Sequence, residues 1–163
     1  FKTPRIVFHN LGNNKFEELI GEAGPGVSAA HASRGCAFGD FDNDGDIDVL
    51  IVNMNEPPSL LRNDVKPGRH WLKVKLLGTK SNRTALGSRV TLHYGGKLQA
   101  QEVVSQSSFY SVNDLRLHFG LGEVKEADVE VRWPTGQRET FKNVPIDRLI
   151  TIKEGKGIVK QGW

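Results

Sequence analysis

The chain has 163 residues, of which 37% are hydrophobic and 25% charged, and its formal net charge is +3. This composition is typical of a globular protein and excludes an intrinsically disordered chain, and no apolar run approaches the ~18 residues of a membrane span. The single cysteine, Cys36, excludes an internal disulfide and a thiolate zinc site, and its apolar surroundings predict a small buried side chain.

The first part of the chain is predicted to form short strands joined by turns. Eighteen glycines, seven prolines and few apolar periods of helical length favour an all-β fold. A turn rich in Asn and Gly lies at 11–14, and the small-residue stretch 21–33 predicts an irregular connection. The apolar and β-branched runs predict strands at 5–10, 15–19, a segment ending at Phe38, 49–53 and 59–63.

The sequence DFDNDGDID carries aspartates at alternate positions, with glycine at the sixth of its nine places. Carboxylates this close repel one another, and a bound divalent cation would replace this repulsion with attraction. Ca²⁺ binds carboxylate and carbonyl oxygens in a flexible shell, and the order of ligands here follows the first nine positions of an EF-hand loop. A solvated acidic loop is the alternative. We predict a Ca²⁺ site at Asp40, Asp42, Asp44, Asp46 and Asp48.

The residues that flank this loop distinguish it from an EF-hand. Position 12 is Ile51, inside the strand-like run VLIVN, where an EF-hand has a glutamate followed by a helix. The loop is therefore predicted to join two strands. The whole segment AFGDFDNDGDIDVLIVN resembles the FG-GAP or VCBS repeat, a calcium-loop blade of integrin-like β-propellers. By position in the loop, Asp46 would give a backbone carbonyl and the other four aspartates carboxylate oxygens.

Only one such loop is present, whereas a propeller typically closes with four to eight blades. Residues 1–66 are therefore predicted to form one incomplete blade at the C-terminal end of a longer propeller protein. Because one blade cannot close a ring, its open face is also a candidate surface for self-association.

Residues 67–163 are predicted to form an antiparallel β-sandwich. Apolar and polar residues alternate with period two, which predicts strands with one buried face. Gly95-Gly96 predicts a hairpin turn, Pro134-Thr135-Gly136 a second turn, and a slip in the alternation near Glu102 a bulge. The predicted strands are 72–76, 89–94, 97–104, 115–119, 129–133, 137–141 and 149–152.

Two stretches of this second half carry a further resemblance. HWLKVKLLGTKSNRTALGSRVTLHYGG and LRLHFGLGEVKEADVEVRWPTGQ are similar to the ASPIC/UnbV domain. That domain typically follows FG-GAP repeats in secreted proteins, and no activity is generally assigned to it. The resemblance implies an extracytoplasmic location, whether secreted, periplasmic or at the cell surface.

No motif in the chain predicts catalysis. The G-x-S-x-G and H-E-x-x-H patterns are absent, and the five histidines are dispersed, with His93 and His118 on the polar phases of strands. A hydrolase would need an active site in a part of the protein upstream of this chain. Basic residues are scattered singly, which favours a solvated surface and disfavours nucleic acid as a partner.

We expect a non-enzymatic, calcium-binding adhesion or interaction module with an unknown protein or glycan partner. The alternative is a carbohydrate-binding sandwich that targets a larger extracellular enzyme through Trp71, Tyr94 and Trp133. However, Tyr94 and Trp133 lie on buried phases, which favours core packing. The polar segment 81–89 is either a binding loop or an ordinary strand connection.

Overall fold

The computed structural model describes residues 1–19, 21–64 and 68–160, which form an all-β chain as predicted. The one helix in these ranges, α1, is the four-residue Pro25–Ser28. None of the described helical residues forms a helix long and apolar enough to cross a membrane. The strands are β1 Phe8–Gly12, β2 Lys15–Glu18, β3 Ser33–Gly39, β4 Asp48–Asn53, β5 Ser59–Leu61, β6 His70–Leu77, β7 Arg89–Tyr94, β8 Lys97–Glu102, β9 Leu117–Gly122, β10 Glu126–Arg132, β11 Arg138–Pro145, β12 Arg148–Lys153 and β13 Gly157–Val159.

The chain divides into two compact units. The first comprises Phe1–Phe41, Asp46–Asp64 and Ser107–Asn113, and the second comprises the rest of the described chain. The predicted domain boundary between residues 66 and 67 lies outside the described residues and stays a prediction.

The first unit contains a hairpin and a three-stranded sheet. Strands β1 and β2 pair in antiparallel fashion around Asn13 and Asn14, whose positive φ angles of 50° and 60° fit the predicted turn. The sheet has the order β3-β4-β5 with antiparallel neighbours. Its β3–β4 connection is the aspartate loop, so the prediction that this loop joins two strands is confirmed.

A polar network centred on Arg5 lies inside the first unit. The Arg5 guanidinium donates hydrogen bonds to the carbonyl oxygen of Gly26 at 2.5 Å and to Ser59 Oγ at 2.8 Å. Its longer bonds, at 3.3 Å, reach Ser33 Oγ and Asn53 Oδ1. One side chain therefore ties α1 to all three strands of the sheet.

The second unit consists of two four-stranded sheets, in the orders β11-β10-β7-β8 and β13-β12-β6-β9. Inward-facing side chains of both sheets form one apolar core. The strand alternation predicted this core. It was wrong at Lys73, between Leu72 and Val74, which is 1% exposed, with Nζ 5.6 Å from the centroid of the Trp71 ring. Its fully buried members include Leu72, Val74, Val90, Leu92, Phe119, Val129, Val131 and Ile152.

One strand pairing of the second unit differs from the antiparallel prediction. Strands β6 and β12 are parallel, from Leu72 opposite Arg148 to Leu77 opposite Lys153. The turn signals in the sequence indicate pairing only between strands joined by a hairpin. Strand β12 instead follows β11 of the other sheet, so no turn fixed its direction relative to β6.

The two predicted turns are confirmed, and a bulge lies near Glu102 as predicted, with its extra residue on the partner strand. Gly95 and Gly96 have φ angles of 51° and 73°, and the Gly136 N–H donates to the Trp133 carbonyl at 2.8 Å. The β7–β8 pairing runs without a register shift to Glu102. Beyond it, the Gly87 N–H donates to the Val103 carbonyl at 2.8 Å, and the Val103 N–H donates to the Ser88 carbonyl at 2.9 Å. Gly87 and Ser88 therefore both lie opposite Val103, and the φ of 87° at Gly87 is typical of a bulge with glycine at its first position.

Candidate metal site

The aspartate loop leaves β3 after Gly39 and enters β4 at Asp48. The loop thus begins and ends on paired strands, because Gly39 and Asp48 lie opposite each other in the sheet. Asp40 is 1% exposed and Asp48 is 2% exposed, whereas Asp42 lies on the surface. Two of the predicted ligands are therefore held in the interior at the end of a rigid ladder.

Three of the five predicted ligands converge. Carboxylate oxygens of Asp40, Asp42 and Asp48 all lie within 4.8 Å of one another. Ca²⁺ binds oxygens at about 2.3–2.6 Å, so oxygens on one ion are separated by up to about 5 Å. The three carboxylates therefore fit Ca²⁺ in both chemistry and spacing. Asp44 and Asp46 are not part of this group, and their predicted roles as ligands stay predictions.

Asp48 also organises the backbone around the group. Its Oδ2 accepts the Phe41 N–H at 3.0 Å, and its Oδ1 accepts the Asn63 N–H at 2.9 Å. These bonds hold the carboxylate in one orientation and fold the loop back toward β4. Asp48 thus has a structural role in addition to its proposed role as a ligand.

The turn of the loop requires the glycine that the sequence provides. Gly45 has a φ of 102°, and a Cβ added to it would lie 2.1 Å from Nε1 of Trp71. The neighbouring Asn43 has a φ of 63°, and its Oδ1 accepts a hydrogen bond from Arg116 Nη1 at 2.8 Å. Both the backbone conformation and the close indole ring therefore exclude a larger residue at position 45.

Replacing Gly45 with alanine is expected to destabilise the loop by about 1–2 kcal/mol, because the φ is unfavourable and the methyl group displaces Trp71. The change is measurable as a shift of the Trp71 fluorescence and as a lower melting temperature. Gly96→Ala is the control, since Gly96 also has a positive φ but no atom near its added Cβ. Equal effects of the two variants on Trp71 fluorescence would contradict the contact.

Comparison with known proteins identifies the second half of the chain. The family model described as ASPIC and UnbV matches residues 78–159, just over half of the sequence. The chain belongs to the ASPIC and UnbV family. The aspartate loop lies outside the matched range.

Three curated relatives of this ASPIC and UnbV chain share the name Cartilage acidic protein 1. The human protein is 30% identical over 154 residues, which cover 91% of this chain and 23% of the relative. The Mus musculus protein is 30% identical over 154 residues, which cover 91% of this chain and 24% of the relative. The Xenopus tropicalis protein is 30% identical over 127 residues, which cover 74% of this chain and 20% of the relative. The chain thus spans less than a quarter of the length of these relatives.

Glu154, which the sequence reasoning missed, organises the 81–89 segment of the ASPIC and UnbV domain. It is 1% exposed, and its Oε2 accepts the N–H groups of Thr79, Lys80 and Ser81 at 2.8, 2.8 and 2.7 Å. Burial of the carboxylate raises its pKa. The hydrogen bonds that it accepts have a larger opposite effect and lower the pKa to about 2; they come from the N–H and O–H of Ser81 and the N–H groups of Thr79 and Lys80. The start of the predicted binding segment is therefore a structural connection.

The aromatic and histidine predictions have mixed outcomes. Trp133 and Tyr94 are 1% and 8% exposed, so their predicted core positions are confirmed. His93 is exposed as predicted. His118 is half-buried instead, because its ring stacks on Trp71 with centroids 5.8 Å apart.

Cys36, predicted to be buried, is half-buried, with Sγ 3.7 Å from Ser108 Oγ.

Proposed function

We propose that this ASPIC and UnbV chain is a calcium-binding interaction module with no enzymatic role of its own. The convergence of the Asp40, Asp42 and Asp48 carboxylates carries the proposal. Three negative groups this close repel one another, and a divalent cation replaces that repulsion with attraction. The role of Ca²⁺ would be structural, because its binding energy adds to the stability of the strand–loop–strand unit.

The same unit supports the FG-GAP interpretation of the loop. A propeller blade is a four-stranded sheet, and β3-β4-β5 supplies three antiparallel strands with the loop between the first two. We therefore propose that these strands form an incomplete blade, with the ASPIC and UnbV domain following it. The relatives are named for cartilage, an extracellular matrix tissue, which supports an extracytoplasmic location.

An exposed apolar sheet face supports the interaction part of the proposal. Leu50 and Val52 alternate along β4, and Leu60 of β5 lies opposite Leu50, so the three share one face of the sheet. They are 45%, 52% and 51% exposed. Apolar residues grouped on one surface are typical of protein contact sites. This face is where we expect a protein partner, or a second copy of the chain, to bind.

The carbohydrate-binding alternative has less support. A sugar platform needs exposed aromatic faces, and Tyr94 and Trp133 are both in the core. Trp71 is half-buried and stacks on His118. None of the three aromatic residues proposed for sugar binding is therefore freely exposed.

The test is Ca²⁺-dependent stability. At calcium ten times above the dissociation constant, the native state is expected to gain about 1.4 kcal/mol, seen as a higher melting temperature than in chelator. Asp42→Asn should abolish the difference, because Asp42 is an exposed member of the group. Asp44→Ala tests whether calcium also recruits Asp44.

The matched control is Asp64→Asn, which removes the same charge from an exposed position outside the carboxylate group. This variant should keep the full calcium effect. Trp71 fluorescence provides a second readout, since the indole lies against Gly45. Identical melting curves in calcium and in chelator for the unsubstituted chain would refute the proposal.

A further inference from the structure

The outer face of the β11-β10-β7-β8 sheet carries a row of three arginines from three neighbouring strands. Arg132 of β10 lies directly opposite Arg89 of β7 on one side and Arg138 of β11 on the other. Residues opposite each other in neighbouring strands point to the same face, with Cβ atoms about 4.5–5.5 Å apart. The three guanidinium groups therefore share one surface, although Arg89 and Arg138 are more than 40 residues apart in sequence.

This arrangement is unfavourable by itself, because like charges directly opposite one another destabilise a sheet. The outer arginines have acidic neighbours. Arg138 Nη1 lies 2.5 Å from Glu130 Oε1, and Arg89 Nη1 lies 3.5 Å from Glu102 Oε1. Arg132, in the middle, has no ion-pair partner among the described residues.

The row lines a shallow cleft. A cleft of about 200 Å³ is bounded by the three arginines together with Thr91 and Glu130. Arginine provides a planar fork of N–H donors that matches an oxyanion, and Thr91 adds a hydroxyl group. The ion pairs of Arg138 and Arg89 are on the surface, where such pairs contribute little, so both arginines can turn toward a bound anion.

We propose that this cleft, named the arginine cleft after Arg89, Arg132 and Arg138, binds a tetrahedral oxyanion group, as a sulfate or a phosphate ester. The anion would sit over Arg132 and offset the repulsion within the row. Binding of single-stranded nucleic acid is disfavoured, because a base needs an aromatic platform. Two rows of residues that lie opposite one another across the four strands form the cleft and its continuation, and neither row carries an aromatic ring. The first row is Arg138, Arg132, Arg89 and Glu102, and the second row is Thr140, Glu130, Thr91 and Ala100.

The test uses inorganic sulfate and inorganic phosphate as probes, titrated at constant ionic strength against chloride. NMR signals of the arginine Nε–Hε groups report binding, and we expect saturable shifts at Arg89, Arg132 and Arg138. Arg132→Gln should raise the dissociation constant by about tenfold, which is the loss of one charge-assisted hydrogen bond. Arg132→Lys should give an intermediate loss, because it keeps the charge but not the fork.

The matched control is Arg83→Gln, an exposed arginine in the same unit with the same change of charge. We expect it to change the dissociation constant by less than about twofold. Both variants are exposed, so folding is checked by the unchanged NMR signals of the core. Equal losses in Arg83→Gln and Arg132→Gln, or no saturable shift with either anion, would overturn the proposal.

The source of the oxyanion is distinguished with larger probes. A heparin tetrasaccharide, the same tetrasaccharide without sulfate, and inositol hexakisphosphate are compared on the unsubstituted chain and on Arg132→Gln. Tighter Arg132-dependent binding of the sulfated sugar identifies a sulfate ester, and tighter binding of the inositol phosphate identifies a phosphate ester. Equal binding of the sulfated and desulfated sugars, with no binding of the inositol phosphate, would contradict recognition of an oxyanion.

Discussion

Glu154→Ala is expected to lower the free energy of unfolding of the second unit by about 3–5 kcal/mol at pH 7. The variant leaves the N–H groups of Thr79, Lys80 and Ser81 without the carboxylate that accepts them. A fully buried donor without a partner costs about 1–3 kcal/mol, and each of these part-buried donors costs less, because water can enter. Denaturant unfolding, followed by the fluorescence of the buried Trp133, measures the loss.

The pH dependence gives the same interaction an independent signature. The pKa of Glu154 is lowered from 4.5 to about 2 in the folded state. The unfolded chain therefore binds a proton first as the pH falls, and the stabilisation is complete above about pH 4.5 and lost toward pH 2. The shift corresponds to about 3 kcal/mol.

Two glutamine variants separate this carboxylate from the others. Glu154→Gln should remove most of the pH dependence between pH 4.5 and 2, while Glu123→Gln, at an exposed position, should leave it intact. Stability of Glu154→Gln that falls as steeply with acid as that of the unsubstituted chain would show that other carboxyl groups dominate.

The sequence predicted the features of this fold that depend on neighbouring residues. Alternation identified the buried faces, and Gly95-Gly96 identified a hairpin, because both signals act within a few residues. The direction of β12 relative to β6 was not predictable in this way, since their pairing joins residues about 76 positions apart, Leu72 and Arg148. Local signals do not report such contacts.

The same difference between local and long-range features applies to the candidate sites. The residues of the metal site were predicted because the aspartates are adjacent and ordered, and the structure brings Asp40, Asp42 and Asp48 together. The arginine cleft was not predicted, and the basic residues were interpreted as scattered. They are scattered in sequence, but the strand register places Arg89, Arg132 and Arg138 in one row. Charge clustering in a sheet is set by the strand order, which single-sequence patterns do not provide.

Arg5 illustrates the limit of alternation most clearly. It lies in the segment 5–10, predicted to be a strand, where a lone arginine indicates a solvated position. The structure instead makes it the centre of the first unit, bonded to Gly26, Ser33, Asn53 and Ser59. Among the described residues of this unit, Ile51 is the one buried hydrophobic side chain. The first unit therefore relies on polar hydrogen bonds, whereas the second unit is stabilised by an apolar core.

Arg5→Met is consequently expected to destabilise the first unit by about 3 kcal/mol. Methionine keeps an unbranched apolar stem but cannot donate, so the Gly26 carbonyl and the Asn53 and Ser59 side chains lose a charged donor. A hydrogen bond to a charged group contributes about 1.5–3 kcal/mol, and losing several together raises the cost toward the upper part of that range. Because the chain has two units, local hydrogen exchange measures the effect better than a single unfolding curve.

The amides of β3, β4 and β5 should exchange about 100-fold faster in Arg5→Met, as 3 kcal/mol corresponds to roughly two powers of ten. The amides of β6, β7 and β10 should be unchanged. Arg34→Met is the control, since Arg34 is exposed and its side chain bonds only to the adjacent Ser33 carbonyl in the described chain. Equal acceleration in Arg5→Met and Arg34→Met would mean that the loss of positive charge, and not the network, determines the stability of the first unit.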